Sequence, residues 1–385
     1  MSEQKSPTKT ISDFEAKLSE ADKNVASFDT SNAGLLFKIR SFLRDNPTSI
    51  PAFILLLSIV GFALNALFFK PNNFISTPVA NAILVQVTVV GIAAIAQTLI
   101  ILTAGIDLSV APILVISSMI MGKLATEAGM PVWACVPIGV FVAGLMGWIN
   151  GFLIAYVKIP PFITTLGTLN IFVALKLWYT DSQSVRPSDL EEKAIHLLDF
   201  GNSLNIGFKD GFHITYSTAS KIVPPIAGDI TILLGTVAML FLAALAWYML
   251  YRTAWGRHVH AIGDDPDAAM LSGIQVSRTL VSVYALAGVI IGIGAWVSIG
   301  RVGSISPIAF ETIALDTITA VVIGGTSLFG GRASIAGSVL GALIVGVFTT
   351  GLQVAGVDSF WQYFAAGNLI LAAVALDQWL RKASQ

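Results

Sequence analysis

The sequence predicts an all-α polytopic membrane protein of about ten transmembrane helices in two weakly repeated halves with broken, re-entrant segments. Three observations carry that prediction. Of 385 residues, 55% are apolar and only 12% charged, with a mean hydropathy of +0.78; a soluble domain needs roughly 25% charged residues to face water. Long stretches contain no ionisable side chain at all, and a glycine-containing break recurs in each half of the chain.

The ionisable-free stretches cover 46–69, 71–106, 108–122, 130–157, 159–175, 230–251, 279–300, 333–357 and 359–376. Glu311 and Asp316 interrupt one more, which continues to residue 331. A bilayer core takes about 20 apolar residues as helix, so spans are centred near residues 60, 90, 116, 143, 169, 240, 290, 320, 342 and 368. These runs are apolar on every side, which excludes a porin-type barrel with its alternating strands.

Residues 1–46 precede the first span as a polar segment of mixed charge, too long and too acidic for a signal peptide. Within it Ile11, Phe14, Leu18 and Ala21 share one helical face. Residues 47–385 form the transmembrane domain. With the amino end inside, the basic residues at 38–44, 252–278 and 381–382, together with Lys158 and Arg332, all lie in the cytoplasm. That satisfies the positive-inside rule and puts both termini inside. An outer loop over 180–223 separates the halves; it is acidic on balance, with interleaved apolar residues suited to a folded patch. It serves either a docking partner or simple connection.

The halves match weakly at one place. TLIILTAGIDLSVAPILVISSMIMG passes through Gly105, Asp107 and Leu108; TAVVIGGTSLFGGRASIAGSVLGALIVG passes through Gly325, Ser327 and Leu328. Both read as helix, break, helix at an offset of 220 residues. Interrupted segments at corresponding positions point to a transport pathway.

No covalent chemistry is evident. The sequence lacks a phosphate loop, H-E-x-x-H and G-x-S-x-G, and its four histidines fall outside the spans. Cys135 alone excludes a disulfide framework and a cysteine-built metal site. A net charge of −1 offers no field for nucleic acid. The chain is expected to hold no cofactor and no metal.

Polar groups at membrane depth are therefore the candidates, because an ionisable side chain there is costly. Asp107 lies in the first break, with Ser109 placed to cap the next helix and Pro112 in its first turn. The group is either a polar gate or a capped turn. Gln97, Asn150 and Asn170 are expected inside the bundle, along a polar path or as interhelical glue. Thr326 and Ser327 hold the equivalent place in the second break. Glu311 and Asp316 fit an outer interface, and Lys176 is expected to snorkel to the outer surface. Gly147/Gly151, Gly288/Gly292 and Gly337/Gly341 allow close helix approach, within one subunit or between two.

The loop at 252–278 is the most informative segment. In GRHVHAIGDDPDAAMLSGIQVSR, Asp265 is a helix cap, Pro266 suits the first helical position, and Asp267 favours the positive end. Gly273 fits a left-handed stop. A short helix from Pro266 to Ser272 follows, with Ala268, Ala269, Met270 and Leu271 as contact points. A transporter without its own ATPase needs such a lever.

At this point a resemblance is visible. AGIDLSV (104–110), PPFITTLGT (160–168), GRHVHAIGDDPDAAMLSGI (256–274) and VVIGGTSLFGGRASIAGSVLGALI (321–344) resemble the membrane permease subunits of bacterial ATP-binding-cassette monosaccharide importers. The resemblance implies a homodimeric permease of the bacterial inner membrane, fed by an extracytoplasmic sugar-binding protein. It also implies a cytoplasmic ATP-binding subunit with tandem nucleotide-binding domains, contacted through Gly256, Arg257, Asp265, Pro266, Ala268, Ala269 and Gly273. Ala104 and Ala111 stand where many relatives have glycine, and Asp264-Asp265 where ribose permeases often have Gly-Asn. Asp264-Asp265, together with the long polar amino end around DKNVASFD, looks closest to the fructose branch. An ion-coupled secondary sugar transporter, using Asp107 as its coupling carboxylate, is the rival reading.

Overall fold

The computed structural model describes residues 48–68, 74–207, 213–217 and 230–382, all within the unit Pro47–Gln385. The amino-terminal segment with its amphipathic stretch, and parts of the outer loop, lie outside the described residues.

Helices stand where the apolar runs predict them. The first half holds α1 (Ser49–Phe68), α2 (Thr77–Leu102), α3 (Val110–Thr126), α4 (Val132–Ala155) and α5 (Pro161–Thr180). After the outer segment, which holds α6 (Pro187–Lys193), come α7 (Leu234–Arg252), α8 (Ala254–Asp264), α9 (Pro266–Leu271), α10 (Val276–Val302), α11 (Ile313–Ile323), α12 (Ile335–Val354) and α13 (Ser359–Lys382). Proline opens α2 and α5, where a missing N–H costs no hydrogen bond. Among the described residues, seven of these helices are long and apolar enough to cross a membrane. The helices α3, of 17 residues, and α11, of 11, are shorter.

The outer segment departs from a purely helical class. It holds α6 (Pro187–Lys193), a 3-10 turn (Ile195–Gly201) and the strands β1 (Ser203–Gly207), β2 (His213–Ser217) and β3 (Ile230–Leu233). They form one antiparallel sheet in the order β2-β1-β3, with Ile206 facing Ile214 and Leu204 facing both Tyr216 and Ile232. The two-residue alternation in SLNIG and HITYS is the strand signal. Asn205 joins both neighbouring strands through Ser217 Oγ and Thr231 Oγ1, each at 2.8 Å. Asn81, near the start of α2, accepts from Thr231 N at 3.0 Å and so fastens the sheet to that helix.

The core is centred on α2, α3, α4 and α10. A side-chain carbon added at Gly147 would overlap the Tyr284 carbonyl, and one at Gly288 the carbonyl of Ala143. On the other side of the molecule, Gly337 meets the backbone of Gly324, and Gly341 that of Ala320. These glycine pairs therefore pack within the subunit, and their faces are already occupied.

The two breaks share one hydrogen-bond scheme. At the end of α2, Ala104 N donates to Ile101 O (2.9 Å) and Gly105 N to Ile100 O (3.2 Å). At the end of α11, Gly325 N donates to Val322 O (2.9 Å) and Thr326 N to Val321 O (3.2 Å). Each is a Schellman stop with a left-handed residue at its turning point: Ala104 at φ 59° and Gly325 at φ 85°. Ala104 thus corresponds to Gly325, one residue further along than the 220-residue offset implies. Past that point the breaks diverge, because the second is longer. The segments also touch, through a Thr98–Ser338 hydroxyl pair at 2.7 Å.

Candidate gate and coupling site

The first break is organised around Asp107. Its Oδ1 accepts from Ser109 N at 2.7 Å and from Ser109 Oγ at 2.6 Å, while Asn150 Nδ2 on α4 donates to Ser109 Oγ at 2.8 Å. Ser109 stands at the cap position of α3, but its hydroxyl makes no cap bond. The expected cap bond is replaced because the hydroxyl donates its hydrogen bond to the carboxylate two residues earlier. Thr165 on α5, within the PPFITTLGT motif, donates to Ile106 O at 2.9 Å. Asp107, Ser109, Asn150 and Thr165 are all buried. Tyr284 Oη on α10 lies against Gly105, two residues before Asp107. Two polar atoms of this neighbourhood, Asn150 Oδ1 and Tyr284 Oη, have no hydrogen-bond partner among the described residues.

The second break is organised by hydroxyls instead. Thr326 Oγ1 accepts from Ser334 N (3.2 Å), Ser334 Oγ caps α12 through Gly337 N (3.0 Å), and Ser327 N donates to Arg332 O (3.0 Å). Gln97 is fully buried one turn before the end of α2, with neither amide atom hydrogen-bonded. Asn170 is not interior to this chain: it is exposed on α5, its amide turned back to Leu166 O at 3.0 Å. Lys176 is also displaced from expectation. Its side chain is largely covered by the protein. Asp316 accepts from Thr312 Oγ1 at 3.0 Å, while Glu311 is exposed.

The loop at 252–278 is two helices. The helix α9 (Pro266–Leu271) has Asp265 as its cap, accepting from Asp267 N (2.9 Å) and Ala268 N (3.0 Å). Gly273 stops it at φ 85°. Asp265, Pro266, Ala268, Met270 and Leu271 are exposed, with Leu271 at 87%, while Ala269 is buried. Before it lies α8 (Ala254–Asp264), a helix that the sequence reading does not predict. Its inward face is Gly256, Val259, Ile262 and Gly263, a helical spacing that was available as a signal. Arg257 is on the exposed side. Trp255 Nε1 ties α8 to α10 through Ser282 Oγ (2.8 Å), and Tyr251 Oη ties the end of α7 to Ala333 O in the second break (2.7 Å).

The breaks and α8 meet directly. Gly331 N donates to Leu102 O at 3.1 Å, and Gly263 lies against both residues. No cluster of metal-ligating side chains occurs among the described residues. The arrangement is a capped, apolar-tipped helix pair whose first member touches both helix interruptions.

Ala104 provides a test of this geometry. A left-handed alanine costs about 1–2 kcal/mol relative to glycine, and Ala104 is exposed, so deleting its methyl opens no cavity. After allowance for the greater freedom of an unfolded glycine, Ala104→Gly is expected to stabilise the chain by about 0.5–1 kcal/mol. Thermal unfolding of the purified protein in detergent should show a higher midpoint; a lower one would contradict the left-handed stop.

Comparison with known proteins agrees with this architecture. The family described as "Branched-chain amino acid transport system / permease component" matches residues 79–374. The chain is 44% identical to the Fructose import permease protein FrcC of Rhizobium meliloti over 99% of each chain. It is 36% identical to the Ribose import permease protein RbsC of Bacillus subtilis, over 84% of this chain and 90% of the relative. To the D-allose transport system permease protein AlsC of Escherichia coli it is 34% identical, over 81% and 87%. No solved structure matches. With the family match covering most of the chain and relatives similar nearly end to end, the chain belongs to the permease-component family of transport systems: it is a multi-pass inner-membrane transport subunit and not a catalyst.

Proposed function

We propose that this chain is the translocation subunit of an ATP-driven monosaccharide importer, with fructose as the first candidate sugar. The observation that carries the reading is the 44% identity along 99% of a relative named as a fructose import permease. Other relatives are named for ribose, allose and galactose import. The matching family model carries an amino-acid name, but these sugar relatives favour a sugar.

In this reading ten helices cross the bilayer, with both termini in the cytoplasm and two copies forming the pathway. A cytoplasmic ATP-binding subunit with tandem nucleotide-binding domains engages the 256–274 segment, where the capped α9 and its exposed Met270 and Leu271 support a docking role. A sugar-binding protein docks outside. The folded outer segment supports this, as does a polar cavity of about 260 Å³ between the ends of α3 and α5 and the start of that segment, lined in part by Lys123, Glu127, Arg186 and Asp189. The two breaks form the cytoplasmic gate, shaped by Asp107, Ser109 and Asn150 on one side and Thr326 and Ser327 on the other. Gln97 is assigned to the pathway's framework. Asn170 is left as a surface residue available to a second copy.

Site-directed crosslinking tests the reading. Cys135 is buried; with Cys135→Ser as background, Ala268→Cys should crosslink an ATPase in native membranes, and Glu191→Cys in the outer segment should not. An Ala268→Cys thiol that reacts with small reagents yet captures no ATPase would remove the motor and favour the ion-coupled carrier.

A further inference from the structure

We propose that Gly263 is a backbone joint through which the cytoplasmic helix pair moves both helix breaks together. The inference rests on the coupling role of 252–278 and adds the route by which motion leaves that segment. Gly263 is buried in the last turn of α8. A side-chain carbon there would overlap the Leu102 carbonyl and lie 2.8 Å from Gly331 N. One at Gly330 would lie 2.6 Å from Gly263 O and 3.1 Å from both Ala104 N and Leu102 O. The side chain of Asp264 sits directly over Gly331. Three segments distant in sequence therefore meet backbone to backbone: the stop of α2, the second break and the end of α8. At Gly263 and Gly330 the contacts are main chain on main chain, with no rotatable side chain to absorb a displacement, and close-packed contacts transmit strain.

The lever side of this joint is equally stiff. Asp265 N donates to Ala261 O at 3.1 Å, continuing α8 into the residue that caps α9. Tyr251 supplies a second tie into the same break. A push on α9 thus reaches Leu102 and Gly331 at the same moment, and the two breaks respond as one body. Glycine at 263 is required because any side chain would separate the three backbones.

The experiment uses the full chain reconstituted with its ATPase and binding protein, with radiolabelled fructose and ribose as probes. With Gly263→Ala, the ATPase should remain bound and ATP hydrolysis should stay within about twofold of wild type. Sugar uptake should fall by about tenfold or more, raising the ATP consumed per sugar. Gly167→Ala, on α5 where nothing lies within 4 Å of the added carbon, should change neither. Wild-type uptake by Gly263→Ala overturns the joint. Loss of the ATPase from the wild-type chain overturns the coupling role itself, and the joint with it.

A second measurement applies even if Gly263→Ala does not assemble. Spin labels at Ala104→Cys and Ser272→Cys, both exposed, are placed in the Cys135→Ser chain and diluted with unlabelled chain. Their separation within one subunit should be conserved to about 2 Å between nucleotide-free and ATP-trapped states, whereas a shift near one helical turn, about 5 Å, overturns the joint.

Discussion

Gly288→Leu is expected to leave no assembled protein in the membrane. Gly288 sits where α10 crosses α4, and even one added carbon would overlap the Ala143 carbonyl and lie 3.1 Å from the Gly144 Cα. A leucine needs four heavy atoms of space there. Gly292, one turn further along the same face, is held equally close to Val140, so α10 cannot tilt to make room. Helices in lipid associate through van der Waals packing and gain little from a hydrophobic drive. Separating them forfeits that packing along the whole crossing, a loss of about 3 kcal/mol or more. Size-exclusion chromatography of the tagged chain should show no monodisperse peak. Gly61→Leu on α1, where nothing lies within 4 Å of an added carbon, should elute as wild type. A normal peak from Gly288→Leu would mean that α4 and α10 do not cross as described.

The second large effect separates two substitutions at one residue. Asp107→Ala removes the acceptor for Ser109 N and Ser109 Oγ, both buried. Two orphaned donors cost about 2–4 kcal/mol together, and the Ser109 hydroxyl loses the orientation in which it receives Asn150. Asp107→Asn keeps an Oδ1 acceptor at the same place and adds a donor near Asn150 Oδ1, which lacks a partner. Asp107→Ala should therefore unfold the break and lower both yield and uptake by about tenfold or more, while Asp107→Asn should keep uptake within about threefold. Vesicle uptake driven by ATP, compared with uptake driven by an ion gradient, checks the pair. Abolished transport by a well-folded Asp107→Asn chain would assign the carboxylate a coupling ion and favour the secondary carrier.

Much of the helical layout was legible because lipid imposes a simple requirement. Runs without ionisable side chains must be helices, and α2, α4 and α10 fall on such runs. The cap at Asp265 and the stop at Gly273 were legible because both act on their own backbone. The sheet was obscured because its alternating strands are only four or five residues long and lie within a mixed polar segment. Ser109 was misassigned since two local acceptor–donor schemes compete there, and only the fold brings Asn150 in to decide between them. The faces of Asn170 and Lys176 were not legible for a related reason: a residue's face on α5 depends on which side packs against α3, and an apolar helix carries little signal for that choice. Gly263 and Leu102 were invisible in principle, because their contact involves main-chain atoms common to every residue.

Asn81 anchors the outer sheet to the first turns of α2, and the carbonyl of Leu102, the last residue of that helix, is the acceptor that receives Gly331. The 26 residues of α2 span about 39 Å, and its second half is buried throughout. The helix is thus a connecting rod with one end clamped to the extramembrane platform and the other seated among the breaks. If the sugar-binding protein docks on the sheet as proposed, a tilt imposed there would become a displacement at Leu102, and occupancy on one side of the bilayer would be legible on the other without any molecule having crossed.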